Sequence, residues 1–276
     1  MRFTKMHGAG NDFIIINNIN GGILPQDMGA LAKKLCAFHT GIGADGMMIV
    51  SPARKDGDFA MSFFNSDGSE GEMCGNGARC ISRYGFDKGL AGKSMSIETI
   101  SGTVLGRRIS EKLYSVRLND PSVIKSGLSL DVGGQSFECC YVELGVPGLP
   151  HAVVPMQGFD LMERAELFEL GKALRNHAAF PKGANVSFVK HIEGNKLKAI
   201  TFERGVEDFT LACGTGCASI ASALTLSGDV NGAEPVYISM PGGELSVSLS
   251  CENGSIRDIW LTGPAALVFE GEYIDS

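Results

Sequence analysis

The chain has 276 residues, of which 44% are hydrophobic and 20% charged, a globular composition that excludes a disordered or fibrous protein. Twenty-four Lys and Arg stand against 31 Asp and Glu, for a formal charge of -7, so no basic face for nucleic acid is expected. No apolar run approaches the ~20 residues of a membrane span, and the start, residues 1–7, runs into glycine before a leader's apolar core could form, so a cytoplasmic protein with reduced thiols is expected.

At roughly 150 residues per domain, the length points to two domains. In chain order, Lys5-Met6-His7-Gly8-Ala9-Gly10-Asn11 leads into a strand over 12–17. Pro25-Gln26-Asp27 is a start signal for a short amphipathic helix over 31–38. A glycine turn over 41–46 and a strand over 59–64 follow. Cys74-Gly75-Asn76-Gly77 then opens a helix, and strands over 95–99 and 103–107 close the first half.

The second half repeats this order. The segment 145–151 leads into a strand over 152–155. A helix over 161–176 is expected, with Asp160 as its N-cap. A turn over 181–185 and a strand over 197–202 follow. Cys213-Gly214-Thr215-Gly216, a near copy of the first Cys-Gly motif, opens the next helix, and strands over 236–240 and 244–249 come after it. Asn65 precedes Cys74 by nine residues, and Arg204 precedes Cys213 by the same nine.

The helix over 216–226 has only Ser219, Ser222 and Thr225 as polar members. A helix without a polar face is a buried one. The expected fold is therefore α/β (α+β), with two pseudo-symmetric domains. Each is a curved, mostly antiparallel or mixed sheet wrapped around a central helix. The expected boundaries are 1–119 and 120–263. The segment 264–276 returns to the first domain, with its apolar run 265–269 as an added strand. The active site is expected in the cleft between the domains.

The start of a helix carries unpaired N–H groups and the positive end of the helix dipole. An anion binds there, and glycines let it approach the backbone. The same field lowers the pKa of a thiol at that end. A lone cysteine usually packs a core, but two copies in repeated halves point to a pair. One thiolate would remove the α-proton of an amino acid while the opposite thiol delivers one. N–H donors aimed at the carboxylate would stabilise the charge that develops as the proton leaves. Racemisation or epimerisation of this kind needs no cofactor and no metal. Cys213 and Cys217 have no nearby histidine, so structural zinc is not expected.

The chain resembles the diaminopimelate epimerase family. The resemblance rests on residues 5–13, on Phe64-Asn65-Ser66-Asp67-Gly68-Ser69, and on Met73-Cys74-Gly75-Asn76-Gly77-Ala78-Arg79-Cys80. Gly183-Ala184-Asn185-Val186, Glu203-Arg204-Gly205 and Ala212-Cys213-Gly214-Thr215-Gly216 continue it in family order. It implies two pseudo-symmetric domains, Cys74 and Cys213 as acid/base thiols, and no cofactor. Gly75, Asn76, Gly214 and Thr215 would hold the reacting carboxylate. Asn11, Asn65, Asn185, Glu203 and Arg204 would contact the rest of the substrate. His151 and Glu203 would sit near the thiols and set their protonation. The expected partners are a small amino-acid substrate and a second copy of the chain in a homodimer, with neither nucleic acid nor membrane.

Two features depart from the family pattern. Leu149-Pro150-His151 stands where the family has Asn-Pro-His, and that Asn helps hold the distal carboxylate of diaminopimelate. The segment 206–210 is one residue longer than its family counterpart and adds an acid and an aromatic ring. Both bear on the substrate's distal end. A related racemase for another amino acid is therefore an alternative to the epimerase. A ligand-binding or redox role for the two cysteines is a third reading. Phenazine-biosynthesis-like isomerases share the fold without paired cysteines. Cys36, Cys80, Cys139, Cys140, Cys217 and Cys251 are read as packing residues, and His39, His177 and His191 as surface or loop residues. His7 is read as orienting a loop.

Overall fold

A tight turn suffices to join antiparallel strands, whereas a parallel pair needs a crossover, usually a helix. The chain applies both rules twice in the same order. The computed structural model describes residues 1–71 and 74–274; Met73 of the first Cys-Gly motif lies outside the described residues. Contacts divide the chain into one unit of Met1–Arg117 with Thr262–Ser276 and another of Leu118–Leu261.

In the first unit, β1 (Arg2–Gly8) and β2 (Asn11–Asn17) form an antiparallel hairpin. Helix α1 (Pro25–Cys36) carries the chain to β3 (Gly46–Ser51), parallel to β2. β4 (Phe59–Asn65) returns antiparallel to β3. Helix α2 (Gly75–Asp87) then leads to β5 (Ser94–Thr99), parallel to β4. β6 (Gly102–Arg108) and β7 (Leu113–Arg117) extend the sheet antiparallel. The closing strand Ala266–Glu272 pairs antiparallel with β1. Helix α2 packs on β1, β2, β6 and β7, and α1 packs on β3 and β4.

The second unit begins with the long hairpin of β8 (Pro121–Val132) and β9 (Gln135–Leu144). β10 (Leu149–Pro155) pairs antiparallel with β9, and α3 (Arg164–Arg175) leads to β11 (Asn185–Glu193), parallel to β10. β12 (Lys196–Glu203) is antiparallel to β11 and turns into the three-residue β13 (Asp208–Thr210). Helix α4 (Gly214–Ser227) leads to β14 (Val236–Met240), parallel to β12, and then to the antiparallel β15 (Gly243–Glu252). β16 (Ser255–Pro264) follows. Helix α4 packs on β8, β9, β10, β11 and β15. Each unit thus has a mixed sheet around a central helix, α2 or α4.

Several sequence readings need correction. The helix expected over 31–38 begins at Pro25, where the fixed φ of proline suits the first helical position. The helix expected over 161–176 begins at Arg164, with Glu163 and not Asp160 at the N-cap. Asp160 lies in the short turn Phe159–Leu161, and its carboxylate pairs with Lys190 at 2.6 Å and Lys198 at 2.9 Å. Those cations hold it down at about 2. Cys251 is exposed, so it is not a packing residue. Cys80 and Cys217 are fully buried on α2 and α4. No helix among the described residues is long and apolar enough to cross a membrane.

Candidate active site

In the first unit, Cys74 is the N-cap of α2, in extended conformation at φ -101° and ψ 129°. Gly75, Asn76 and Gly77 form the buried first turn. Gly8 of β1 makes room for that turn, because a Cβ there would stand 2.9 Å from the Asn76 carbonyl oxygen. The β1–β2 turn passes through Ala9 and Gly10, both at positive φ, as a two-residue hairpin turn requires. His7 Nδ1 accepts the Gly10 N–H at 3.4 Å, so His7 does orient this loop.

The turn delivers Asn11 to the helix start. Asn11 Oδ1 accepts the Cys74 thiol at 3.6 Å and the Asn76 amide at 3.4 Å. The Asn11 amide nitrogen donates to Asp45 Oδ2 at 2.6 Å, and the same oxygen accepts the Asp12 N–H at 3.1 Å. Asp12 pairs with the buried Lys5 at 2.7 Å. Buried Arg79 donates to the Gly75 carbonyl at 3.2 Å and to Asn76 Oδ1 at 2.9 Å, fixing the first turn of α2. Asn11, Cys74 and Asn76 are thus brought together. Asn65 is placed differently: its amide donates to Ser69 Oγ at 3.0 Å within an exposed turn.

In the second unit, Cys213 is the N-cap of α4, at φ -119° and ψ 105°, and its sulfur accepts the Gly216 N–H at 3.3 Å. Thr215 Oγ1 lies 3.6 Å from that sulfur. A Cβ at Gly216 would stand 3.1 Å from both Ser187 Oγ and Thr201 Oγ1, a fully buried pair 2.9 Å apart. Glu203, at the end of β12, accepts the Thr210 hydroxyl at 2.6 Å. Burial pushes the Glu203 carboxyl up, against the opposing effects of Thr210 and Cys213.

The charge state of Cys213 reverses the sequence expectation. A helix start was expected to ionise the thiol near neutral pH. Burial, and then the Glu203 charge, push Cys213 well above the ordinary thiol range. The Thr215 hydroxyl and the Gly216 N–H pull the other way and are outweighed. Desolvation disfavours a thiolate more than one N–H and one hydroxyl stabilise it.

Asn185 and His151 face each other across the parallel β10–β11 pair. Asn185 Nδ2 donates to the Pro150 carbonyl at 3.3 Å and lies 3.5 Å from His151 Nε2, while its Oδ1 accepts the Arg204 N–H at 2.8 Å. The 5% exposed Asn185 therefore spends its amide on positioning Arg204. His151 has zero exposure, and Nδ1 has no partner. Burial, helped by the Arg204 charge, holds it down at about 3, so the ring is neutral. Neither of its nitrogens bonds Cys213. Arg204 Nη1 donates to the Lys182 carbonyl at 3.0 Å.

A family model described as diaminopimelate epimerase matches residues 3–113 and 146–268. A diaminopimelate epimerase of Aquifex aeolicus is 37% identical over 98% of this chain and 97% of its own length. One of Alkaliphilus metalliredigens is 38% identical over 100% of this chain and 98% of its own. The chain belongs to the diaminopimelate epimerase family. Membership makes it an isomerase of the amino-acid epimerase and racemase type.

The fold extends more widely than the family. A phenazine biosynthesis protein of the PhzF family from Bacillus anthracis superposes with a TM-score of 0.74 at 15% identity, over 100% of this chain and 99% of its own. A probable proline racemase from Agrobacterium radiobacter, solved with bound carbonate, gives 0.68 at 16%, over 99% and 92%. These likenesses establish a shared fold.

Within this diaminopimelate epimerase family member, sequence reasoning missed Asp45 and Thr210. Asp45 closes the glycine turn 41–46, but its partner Asn11 lies far back in the chain. Thr210 lies in the lengthened segment, which folds as a hairpin: Glu203 pairs with Asp208, and Thr201 with Thr210. Glu207 holds the hairpin turn by accepting from Arg175 Nη2 at 2.8 Å and from the Gly205 N–H at 2.9 Å. Leu149 opens β10 opposite Leu144. Beside it, Glu143 accepts the Tyr141 hydroxyl at 2.6 Å and meets Lys182 at 3.6 Å.

Proposed function

We propose that the chain interconverts LL- and meso-diaminopimelate by two-base proton transfer at the α-carbon, without a cofactor. What carries this reading is the equivalent placement of two cysteines. Cys74 and Cys213 are the N-cap residues of corresponding helices in two units of the same topology. The mechanism requires both thiols at one α-carbon. Cys213, held as a thiol by burial and Glu203, delivers a proton. Cys74, the less buried of the two, is assigned the thiolate that accepts the α-proton. In the reverse direction the roles exchange. The helix starts at Gly75-Asn76 and Gly214-Thr215 supply N–H donors to the reacting carboxylate, stabilising the charge that develops on it. Arg204 receives a carboxylate of the substrate.

A second reading rests on Leu149 and on the hairpin 203–210. Leucine offers no amide to a distal carboxylate, so the same two-thiol chemistry would act on a different amino acid. One experiment separates the two readings. Reduced protein in deuterated water is given LL-diaminopimelate beside a panel of L-amino acids, and α-proton exchange is followed by NMR. Exchange and epimerisation of diaminopimelate is the expected result. Exchange of another amino acid alone would establish the second reading, and no exchange with any would refute both.

A further inference from the structure

We propose that Asp45 is a positioning residue that fixes the orientation of the Asn11 amide, so that Asn11 presents an acceptor to Cys74. The inference rests on the reading of Cys74 as an acid/base thiol. An asparagine side chain can turn over and exchange its oxygen for its NH2. At Asn11 the two orientations have opposite effects. The oxygen toward Cys74 accepts S–H and favours the thiol; the NH2 toward Cys74 would favour the thiolate. Asp45 removes the choice, with the longer 3.4 Å bond from the Asn76 amide acting in the same sense. Its Oδ2 takes the Asn11 NH2 at 2.6 Å, and a carboxylate has no hydrogen to offer an amide oxygen. Asn11 Oδ1 is thereby turned to Cys74 and Asn76.

Asp45 is itself held in place. Its N–H donates to Asp12 Oδ1 at 2.9 Å, its Oδ2 accepts the Asp12 N–H at 3.1 Å, and Asp12 pairs with buried Lys5. The chain Lys5–Asp12–Asp45–Asn11 thus ends at the sulfur. Among the described residues, the charged groups bonded into this network are Lys5, Asp12, Asp45 and Arg79, and the Cys80 thiol interacts with Cys74 through its charge. Chemically, the acceptor makes Cys74 a stronger base. When Cys74 takes the α-proton, the new S–H finds Asn11 Oδ1 already aimed at it.

The test is alkylation of the purified full-length protein with iodoacetamide across pH, with Cys74 read by peptide mass spectrometry and exposed Cys251 as the reference thiol. Asp45→Ala and Asp45→Asn remove the same charge. Only Asp45→Asn keeps an oxygen for the Asn11 NH2, and the two donors at that position orient it. The expected midpoint for Cys74 lies about half to one pH unit lower in Asp45→Ala than in Asp45→Asn, the scale of one lost hydrogen bond. Asn11→Ala should lower it similarly, and with Asn11→Ala in the background the difference between Asp45→Ala and Asp45→Asn, which share the charge loss, should vanish. Coincident midpoints in the two Asp45 variants, a difference between them that survives in the Asn11→Ala background, or an unmoved midpoint in Asn11→Ala would each overturn the proposal. If Asp45→Ala does not fold, Asp45→Leu, which likewise offers the Asn11 NH2 no oxygen, takes its place in the comparison with Asp45→Asn. Because alkylation needs no substrate, these shifts without any epimerisation would uphold the positioning role while refuting the functional reading. Epimerisation without the shifts would do the reverse.

Discussion

The Glu203 carboxylate raises the pKa of the Cys213 thiol through its charge. Replacing it with an amide removes the charge and keeps a similar shape. Glu203→Gln should let Cys213 ionise at lower pH, because its thiolate no longer faces an anion. Alkylation of Cys213 should therefore move to lower pH, read by peptide mass spectrometry. Burial still holds Cys213 as a thiol, but its thiolate becomes a weaker base, so kcat should fall by about 100-fold in the direction in which Cys213 takes the α-proton, the low end of general acid–base contributions. An unchanged kcat, or an alkylation midpoint moved upward, would contradict this assignment.

The two cysteines are equivalent in topology but not in bonding. Cys213 caps its helix by accepting the Gly216 N–H, whereas Cys74 makes no such cap. Either Cys→Ala change should abolish epimerisation, and full activity in either variant would end the two-thiol mechanism. Stability should separate them. Cys213→Ala should cost about 0.5 kcal/mol more than Cys74→Ala, the low end of a lost N-cap. Urea unfolding of the two variants checks this, and a larger loss in Cys74→Ala would count against it.

Which of these features the sequence shows depends on whether they are local. The two Cys-Gly helix starts are visible because the motif and the helix are contiguous, and α4 is visible because it lacks a polar face. The first helix starts at Pro25, ahead of its apolar stripe, and the proline is the local mark of that start. Asp160 does not cap the next helix because its partners, Lys190 and Lys198, are distant in the chain. The β8–β9 hairpin shows no clean alternation of buried and exposed residues in β8, so periodicity did not find it. The same rule holds at the site. Cys74, Cys213 and their flanking glycines are legible. The turn role of Asn65, the hold of Asp45 on Asn11 and the raised pKa of Cys213 are set by tertiary neighbours, and no local pattern encodes them.

The glycines of the two motifs should respond differently to a methyl group. At Gly216 it meets the buried Ser187–Thr201 pair at 3.1 Å, whereas at Gly77 it meets Phe13 and Met48 at 3.5 and 3.6 Å, ordinary contact. Gly216→Ala should cost about 1–3 kcal/mol by overpacking. Gly77→Ala should be neutral or stabilise by up to about 1 kcal/mol, because alanine loses less entropy in a helix. Thermal melts of the two variants measure the contrast, and equal melting temperatures would contradict it.

His151 makes stability depend on acid in a defined window. Its folded pKa is about 3, against an ordinary 6.5. Below about 6.5 the unfolded chain binds a proton on this ring that the folded chain refuses. Stability is therefore fully present above that pH and falls as the pH drops toward 3, by about 1.4 kcal/mol per pH unit from this group. His151→Gln stays neutral throughout and loses this component. Urea unfolding at pH 8 and pH 5 should show the native chain losing about 2 kcal/mol more than the variant over that interval. Parallel losses in the two proteins would mean that the ring takes up its proton alike in the folded and unfolded chains, and that burial and the Arg204 charge do not keep it neutral.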